Sequence, residues 1–473
     1  MTARSERGWL GPAIALVVGV TAARLVLLAF NRTDLFVDEA QYWLWGQSFA
    51  FGYYSKPPLI AWVIGAVTGV MGDAPFWVRA PFAVFHGAAA LILGALAGRL
   101  HGARVAVWVV AAYLTLPMVA VGSLLASTDT IMAPFFCAAL YFHRRLVDSG
   151  GARFALLAGA MAGLAFLAKY AAVYFLLGVG LAALMVPAMR ISWRDAGLML
   201  AAFAVVVMPN VLWNLGHGLA TLSHTMDNVG WVRRDAPLAG WSVARGAEFL
   251  ASQFVVIGPG LFAALIWGWR RMGGYGAFVL PPLAVVTVQA VLEKAYANWA
   301  AAAFFAGVVV AVAVLAARPR LLAAAVVVNA VLCVALPVLT VVPEARFGRD
   351  EPLLQRYVGR ADLSRQIIAA AEGRGGMMVV ADSREVLADL FYTGARSGLQ
   401  FRAPPLRGRA MNHYEQSYAL PAGATGVVLY VTAKDYACDR PLQELIGLKV
   451  AGGTYATDGL RMYVMEAECL AQF

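Results

Sequence analysis

Charge is scarce in this chain. Of 473 residues only 14% are charged and 61% are apolar, where soluble proteins run near 25% and 45–50%. That excludes a soluble globular enzyme, a disordered chain and a coiled coil, and leaves a polytopic membrane protein. Lysine is scarcer still, with five residues against 32 arginines. No Walker loop, no GxGxxG after a strand, no HExxH and no CxxC occurs, so nothing implies a soluble nucleotide cofactor.

What is present in abundance is apolar runs. Crossing a core about 30 Å thick takes roughly 17–25 residues. Eleven runs are read as spans: 9–30, 80–98, 105–122, 130–147, 154–168, 170–189, 196–213, 249–269, 275–292, 299–317 and 321–342. Cations fall at alternate gaps: Arg4 and Arg7, Arg99 and Arg104, Arg144, Arg145 and Arg153, Arg190 and Arg194, Arg270 and Arg271, Arg318 and Arg320. By the positive-inside rule those gaps are cytoplasmic. They hold 13 arginines against Glu6, Asp148 and Asp195, which accounts for the whole formal charge of +10. The basic excess is therefore a topological signal, and nucleic acid is discarded as a partner. The N-terminus is placed in the cytoplasm on an uncleaved first span, and the tail outside, in the periplasm.

Two domains are expected. Residues 1–343 form an all-α transmembrane catalytic domain. Residues 344–473, with 15 basic and 15 acidic side chains, form a small external α/β domain. In the tail, MMVVADSREVLADLFYTG reads as strand, turn and helix, and GVVLYVT and RMYVMEAE read as strands. Cys137 and Cys333 sit in spans as packing residues. Cys438 and Cys469 both lie in the tail, where an oxidising compartment permits a disulfide between them; the sequence leaves that pairing open.

The polar islands are external. The first loop, 31–79, carries apolar stretches at 40–51 and 58–71 that are too short to cross and read as interfacial helices. A second loop spans 214–248 and holds His217, His224, Asp227, Arg233 and Arg234. Three of the five lysines, Lys56, Lys169 and Lys294, fall at external ends of spans. One such lysine can be a headgroup anchor; three on the side opposite the positive-inside signal point to an anionic ligand, most naturally a lipid phosphate. Asp38 and Glu39 read either as a helix start favoured by the macrodipole or as a general base at the membrane surface. Asp129, in SLLASTDTIMAP, reads as a helix cap alongside Ser127 and Thr128 and equally as an active-site acid.

VDEAQYWLWGQSFAFGYYSKPPLIAW resembles the first external loop of bacterial family-39 glycosyltransferases of the GT-C fold, which are related to protein O-mannosyltransferases and lipid A aminoarabinose transferases. Further matches follow in order: the S-T-D turn at 127–129, GLAFLAKYAAVYF at 163–175, PNVLWNLGHGLATL at 209–222 and KAYANWAAAAFFAG at 294–307. The ordered set covers most of 9–342. The resemblance implies a polyprenyl-phosphate sugar as donor, used at the outer face of the bacterial inner membrane.

Carried over residue by residue, the resemblance makes Asp38 the base, with Glu39 orienting the acceptor or supporting Asp38. Lys56 binds the donor phosphate beside Tyr53 or Tyr54. Asp129 takes the second acidic position, and Lys169, Lys294 and Asn298 complete the donor site, with His224 and Arg233 as further substrate-binding candidates. Some enzymes of this fold use a divalent cation; no metal ligand set is assigned here, and a cation between Asp38 and Asp129 is left open. The reaction implied is a single inverting displacement onto lipid A, lipopolysaccharide or another envelope glycan. Protein O-glycosylation is the alternative within the same chemistry. A secondary transporter or lipid flippase is the alternative outside it, disfavoured because nearly all charges sit at span ends, Arg24 being the main exception.

Overall fold

Inside a bilayer every backbone N–H and C=O must find a partner within its own segment, so apolar runs fold as helices. The computed structural model describes residues 8–228, 240–348, 350–435, 438–440, 442–445, 448, 453–455 and 459–471. Among them six helices are long and apolar enough to cross a membrane: Leu10–Ala29, Pro75–His101, Trp193–Gly216, Gly273–Leu292, Ala297–Leu315 and Pro319–Val341. Leu59–Met71, Ala103–Leu114, Ala152–Ala168 and Tyr170–Met185 are shorter apolar helices. Thr128–Ser149 is long but ends in the polar stretch His143, Arg144, Arg145 and Asp148.

All eleven apolar runs fall on helices. The run 249–269 is nonetheless not one rod. It lies on Val243–Val256 and Pro259–Trp267, which meet at an angle of 118°. Gly258 sits at the break with φ +88°, Pro259 opens the second helix, and the amide of the buried Asn329 donates to the Ile257 carbonyl at 2.9 Å. A Cβ at Gly258 would run into the Asn329 side chain. Arg24, the cation inside a span, is buried and donates to the Leu114 carbonyl at 2.5 Å, the backbone pairing expected of an intramembrane charge.

The chain divides into two compact units. The first holds the chain up to Ala29, Ala50–Val63 and Arg79–Pro337. The second holds Phe30–Phe49, Ile64–Val78 and the chain from Val338. The second unit thus joins the tail to two pieces of the first loop.

The second unit is built on a five-stranded sheet of order β2-β1-β3-β5-β4, with β1 Met378–Ala381, β2 Phe401–Arg402, β3 Val427–Thr432, β4 Leu442–Leu445 and β5 Arg461–Glu466. β1 pairs in parallel with β2 and β3, while β5 runs antiparallel to β3 and β4. Central strands covered on both faces read as continuous apolar runs, and β1 (MVVA) and β3 (VVLYVT) do so. Val380, Leu420, Val428, Tyr463 and Met465 form a core with Cys469. The strand–turn–helix reading of the tail holds: β1 leads through Asp382 and Ser383 into the helix Arg384–Thr393. Cys438 and Cys469 are joined in a disulfide with Cα atoms 5.8 Å apart.

The first loop forms helices as expected, at Val37–Gly46 and Leu59–Met71. The first of these is a packed element of its unit. Val37, Glu39, Ala40, Gln41, Tyr42, Trp43 and Trp45 are all buried, and it packs against the 384–393 helix of the same unit.

Asp389, on that tail helix, is 2% exposed and accepts from the Thr393 hydroxyl at 2.9 Å. Burial pushes its carboxyl up from 3.8 to about 6, against the hydrogen bonds from Ser364 and Thr393. The folded unit therefore keeps a proton that the unfolded chain releases, and this stabilisation, complete below about 4, is lost as pH rises through about 6. His413 slopes the other way: burial and then Arg384 hold it down at about 4, so its contribution is complete above 6.5 and lost as pH falls through 4. The wild-type to Asp389→Asn difference isolates the Asp389 part. Thermal unfolding in detergent should show Asp389→Asn more stable by roughly 2–3 kcal/mol at about pH 8, with the gain vanishing near pH 4.

Candidate active site

In the first unit the site is assembled on three helix ends. Ser127 caps the 128–149 helix, its hydroxyl accepting from Asp129 N at 3.2 Å. This leaves the Asp129 carboxylate projecting from the first turn, where the macrodipole favours it. Lys169 closes the Ala152–Ala168 helix. Its Nζ donates to Asp129 Oδ1 at 2.7 Å and Oδ2 at 2.8 Å. Asn298, in the turn before the Ala301–Leu315 helix, donates its amide to Oδ2 at 3.0 Å. The two ion-pair side chains are only 13% and 19% exposed, so the pair is partly desolvated and stronger than a surface pair. Three of the expected residues, from points 40 and 169 residues apart, thus meet in one contact set.

The segment Ala50–Pro58 is held by a second polar set. Asn210 donates to the Phe51 carbonyl at 2.7 Å and accepts from the Tyr170 hydroxyl at 3.1 Å. Thr221 donates to the Tyr53 carbonyl at 2.7 Å. Tyr53 N donates to the Lys56 carbonyl at 3.2 Å and closes the turn that presents Lys56. Gly52 lies so close to the Trp213 ring that a Cβ there would overlap it. Tyr53 and Tyr54 are buried, and the Tyr54 ring packs on His224 at 4.9 Å. Lys294 is exposed, with Nζ 4.7 Å from the centre of the Tyr296 ring. Beside Phe51 an open apolar groove of about 780 Å³ is lined by Val205, Met208, Pro209, Leu212 and Trp213. Arg233, with Arg234, lies outside the described residues.

In the second unit Asp38 stands in the first turn of the 37–46 helix. Arg384 Nη2 donates to its Oδ1 at 2.5 Å, and Arg384 Nε donates to Gln41 Oε1 at 3.1 Å. The Asp38 side chain is 44% exposed and open to solvent. Glu39 is 1% exposed, and its Oε2 accepts from Phe36 N at 2.9 Å. It caps the start of the helix whose first turn carries Asp38. Both Asp129 oxygens and Asp38 Oδ1 thus face side-chain donors. Among the described residues no group of three or more His, Cys, Asp or Glu side chains gathers at one point.

Comparison with known proteins decides the family. The family of dolichyl-phosphate-mannose-protein mannosyltransferases matches residues 55–213. The lipid A galacturonosyltransferase RgtD of Rhizobium johnstonii is 38% identical over 471 residues, covering 97% of this chain and 98% of the relative. The chain belongs to the bacterial family-39 glycosyltransferases. ArnT of Cupriavidus metallidurans shares the GT-C fold: its apo structure superposes with a TM-score of 0.60 over 89% of this chain and 93% of its own at 14% identity. ArnT bound to undecaprenyl phosphate superposes at 0.59 over 98% of each chain, again at 14% identity. The transporter reading drops away with the family.

Sequence reasoning missed the residues that hold the others in this glycosyltransferase. Asn210 and Asn214, four apart on a membrane-spanning helix, carried a usable signal, since polar side chains inside a span face partners. Asn214 indeed donates to Tyr170 at 3.4 Å. Arg384 and Gln41 carried no such signal, because 343 residues separate them. For Asp129 and Lys169, removing either partner leaves a partly buried charge unpaired. Asp129→Ala and Lys169→Ala should each lower unfolding stability by about 2–4 kcal/mol, and the double variant should lose about 1–3 kcal/mol less than their sum. Thermal melts of the four proteins measure the coupling.

Proposed function

We propose that this glycosyltransferase moves a galacturonosyl group from a polyprenyl-phosphate donor onto lipid A at the periplasmic face of the bacterial inner membrane. The observation that carries the reading is the end-to-end identity with a lipid A galacturonosyltransferase. About eleven spans, with the N-terminus in the cytoplasm and the tail outside, fit the arginines at alternate gaps. The Cys438–Cys469 disulfide fits an oxidising compartment.

The chemistry follows from the residues. A lipid A hydroxyl or phosphate oxygen attacks the anomeric carbon. The bond from that carbon to the donor's phosphate oxygen breaks, and polyprenyl phosphate leaves with the electron pair. Asp38 takes the proton of the attacking group. One displacement without a covalent enzyme intermediate inverts the anomeric centre. Lys56, Lys169 and Lys294 meet the charge that develops on the leaving phosphate, with Arg233 as a further cation. An ammonium has three N–H donors; Lys169 spends two on Asp129 and keeps one for a phosphate oxygen, while Asn298 steadies Asp129. Tyr53 and Tyr54 shape the Lys56 turn, with His224 against Tyr54. The groove beside Phe51 suits the prenyl chain, being lined by apolar side chains and adjoining the segment that presents Lys56. In this reading side-chain cations do the work at the phosphate, and no step is routed through a divalent cation.

Mass spectrometry of lipid A tests the assignment. A deletion strain should lack one hexuronic acid mass. The wild-type gene should restore it and Asp38→Asn should not. An unchanged lipid A profile would move the acceptor to glycoproteins or another glycan, and an active Asp38→Asn enzyme would remove the base.

A further inference from the structure

Arginine is out of place in the first turn of a helix, where the macrodipole repels a cation. Arg384 occupies that position in the 384–393 helix, directly after the cap residue Ser383, whose hydroxyl accepts from Val386 N at 3.4 Å. It opens the turn that leaves β1, and β1 is flanked by parallel β2 and β3. In open α/β sheets the carboxyl ends of strands at such a reversal of order are where ligands sit. Here that edge carries Asp382, which accepts from the Thr432 hydroxyl at 2.9 Å and lies 3.7 Å from Lys434, together with Arg384. The partner that Arg384 meets is the first-loop helix of its own unit.

The contact is a two-point clamp. The guanidinium plane sends Nη2 to Asp38 Oδ1 and Nε to Gln41 Oε1, and a planar fork fixes orientation as well as distance. Aromatic contacts flank it along the same helix. Trp43 meets Tyr392 edge-on at 5.0 Å, and Trp45 meets His413 edge-on at 5.6 Å. Trp43 Nε1 and the Tyr392 hydroxyl both bond Asp73, to Oδ1 at 2.9 Å and to the carbonyl at 2.5 Å. The Asp38 carboxylate is thereby oriented while nearly half its side-chain surface stays accessible.

We propose that Arg384 is a positioning residue for the transfer reaction, and that the α/β tail belongs to the catalytic apparatus because it supplies this clamp on Asp38. The proposal rests on Asp38 being the base. Its action is through Asp38: with the guanidinium gone, the carboxylate swings between rotamers and loses its charged neighbour. Among the described residues, the ionisable groups around the clamp include Glu39 and Tyr42 on the Asp38 helix, Arg384 on the 384–393 helix, and His413 and Tyr414 on the 413–418 helix.

The test is steady-state turnover of the full-length enzyme with polyprenyl-phosphate galacturonic acid and purified lipid A, across pH. Wild type, Arg384→Ala, Arg384→Lys and Asp38→Asn are compared, each checked for an unchanged melting temperature. Arg384→Ala should lose kcat by roughly 10²-fold, as a misplaced catalytic group does, with KM for the donor nearly unchanged. The acid limb of its kcat profile should move to higher pH, since a cation beside a carboxylate favours the charged form. Arg384→Lys should keep the limb in place and recover only part of kcat, and added guanidinium ion should partly rescue Arg384→Ala. If Arg384→Ala proves unstable, the kcat deficit of Arg384→Lys at unchanged KM carries the test, and a Lys variant with full kcat overturns the proposal. An inactive Asp38→Asn beside an Arg384→Ala enzyme of unchanged kcat and limb overturns this proposal alone. An active Asp38→Asn overturns the base reading and this proposal with it.

Discussion

A ten-residue helix cannot persist by itself in water, because nucleation takes most of what a few hydrogen bonds return. The 37–46 helix carries the candidate base and is that short, so the placement of Asp38 depends on what the helix is packed against. Its own unit supplies that support. Asp34 N donates to the Tyr357 carbonyl at 2.8 Å, and Asp34 Oδ2 accepts from Arg360 N at 2.8 Å. Arg360 itself is buried, pairs with Glu385 at 3.0 Å and lies over the Phe36 ring at 5.3 Å. From Asp34 to Trp45 each turn of the loop has a partner in the tail. That explains why a glycosyltransferase whose donor chemistry is a membrane matter carries a soluble-looking α/β unit at all.

In the first unit the controlling constraint is different. Charged and polar side chains are costly to leave unpaired among apolar helices, and two sets there join partners that lie far apart in sequence. Asp129, Lys169 and Asn298 form one such set; Asn210, Tyr170 and the Phe51 carbonyl form another. The first ties helix ends together, and the second ties the Trp193–Gly216 helix to the Ala50–Pro58 segment. The polar side chains that would hold a lipid phosphate are thereby the same ones that fix the ends of the bundle.

Much of this was legible in the residues because its signals are local. Helices came from apolar runs, and β1 with its following helix came from the run MMVV and the S-R-E start. The lysines at span ends stood out by their rarity, and the structure sets Lys169 against Asp129, which Asn298 also meets. What stayed illegible depends on pairing across hundreds of residues. The 118° break in the run 249–269 rests on Asn329 as much as on Gly258 and Pro259, and the burial of the 37–46 helix rests on a tail that begins about 300 residues later. The burial of Glu39 and its bond from Phe36 N depend on the packed helix and could not be read from its position in the chain. The short β2, of two residues, has no periodicity to read.

The central claim is that the tail holds the helix bearing Asp38. Hydrogen–deuterium exchange of the 37–46 amides in the intact protein tests it most directly, compared between wild type and Arg360→Ala. The expected result is slow exchange in the wild type, in step with β1 and β3, and markedly faster exchange of 37–46 in the variant while the amides of the 301–315 helix are unchanged. Exchange of 37–46 that is fast in the wild type, or indifferent to the loss of Arg360, would contradict it.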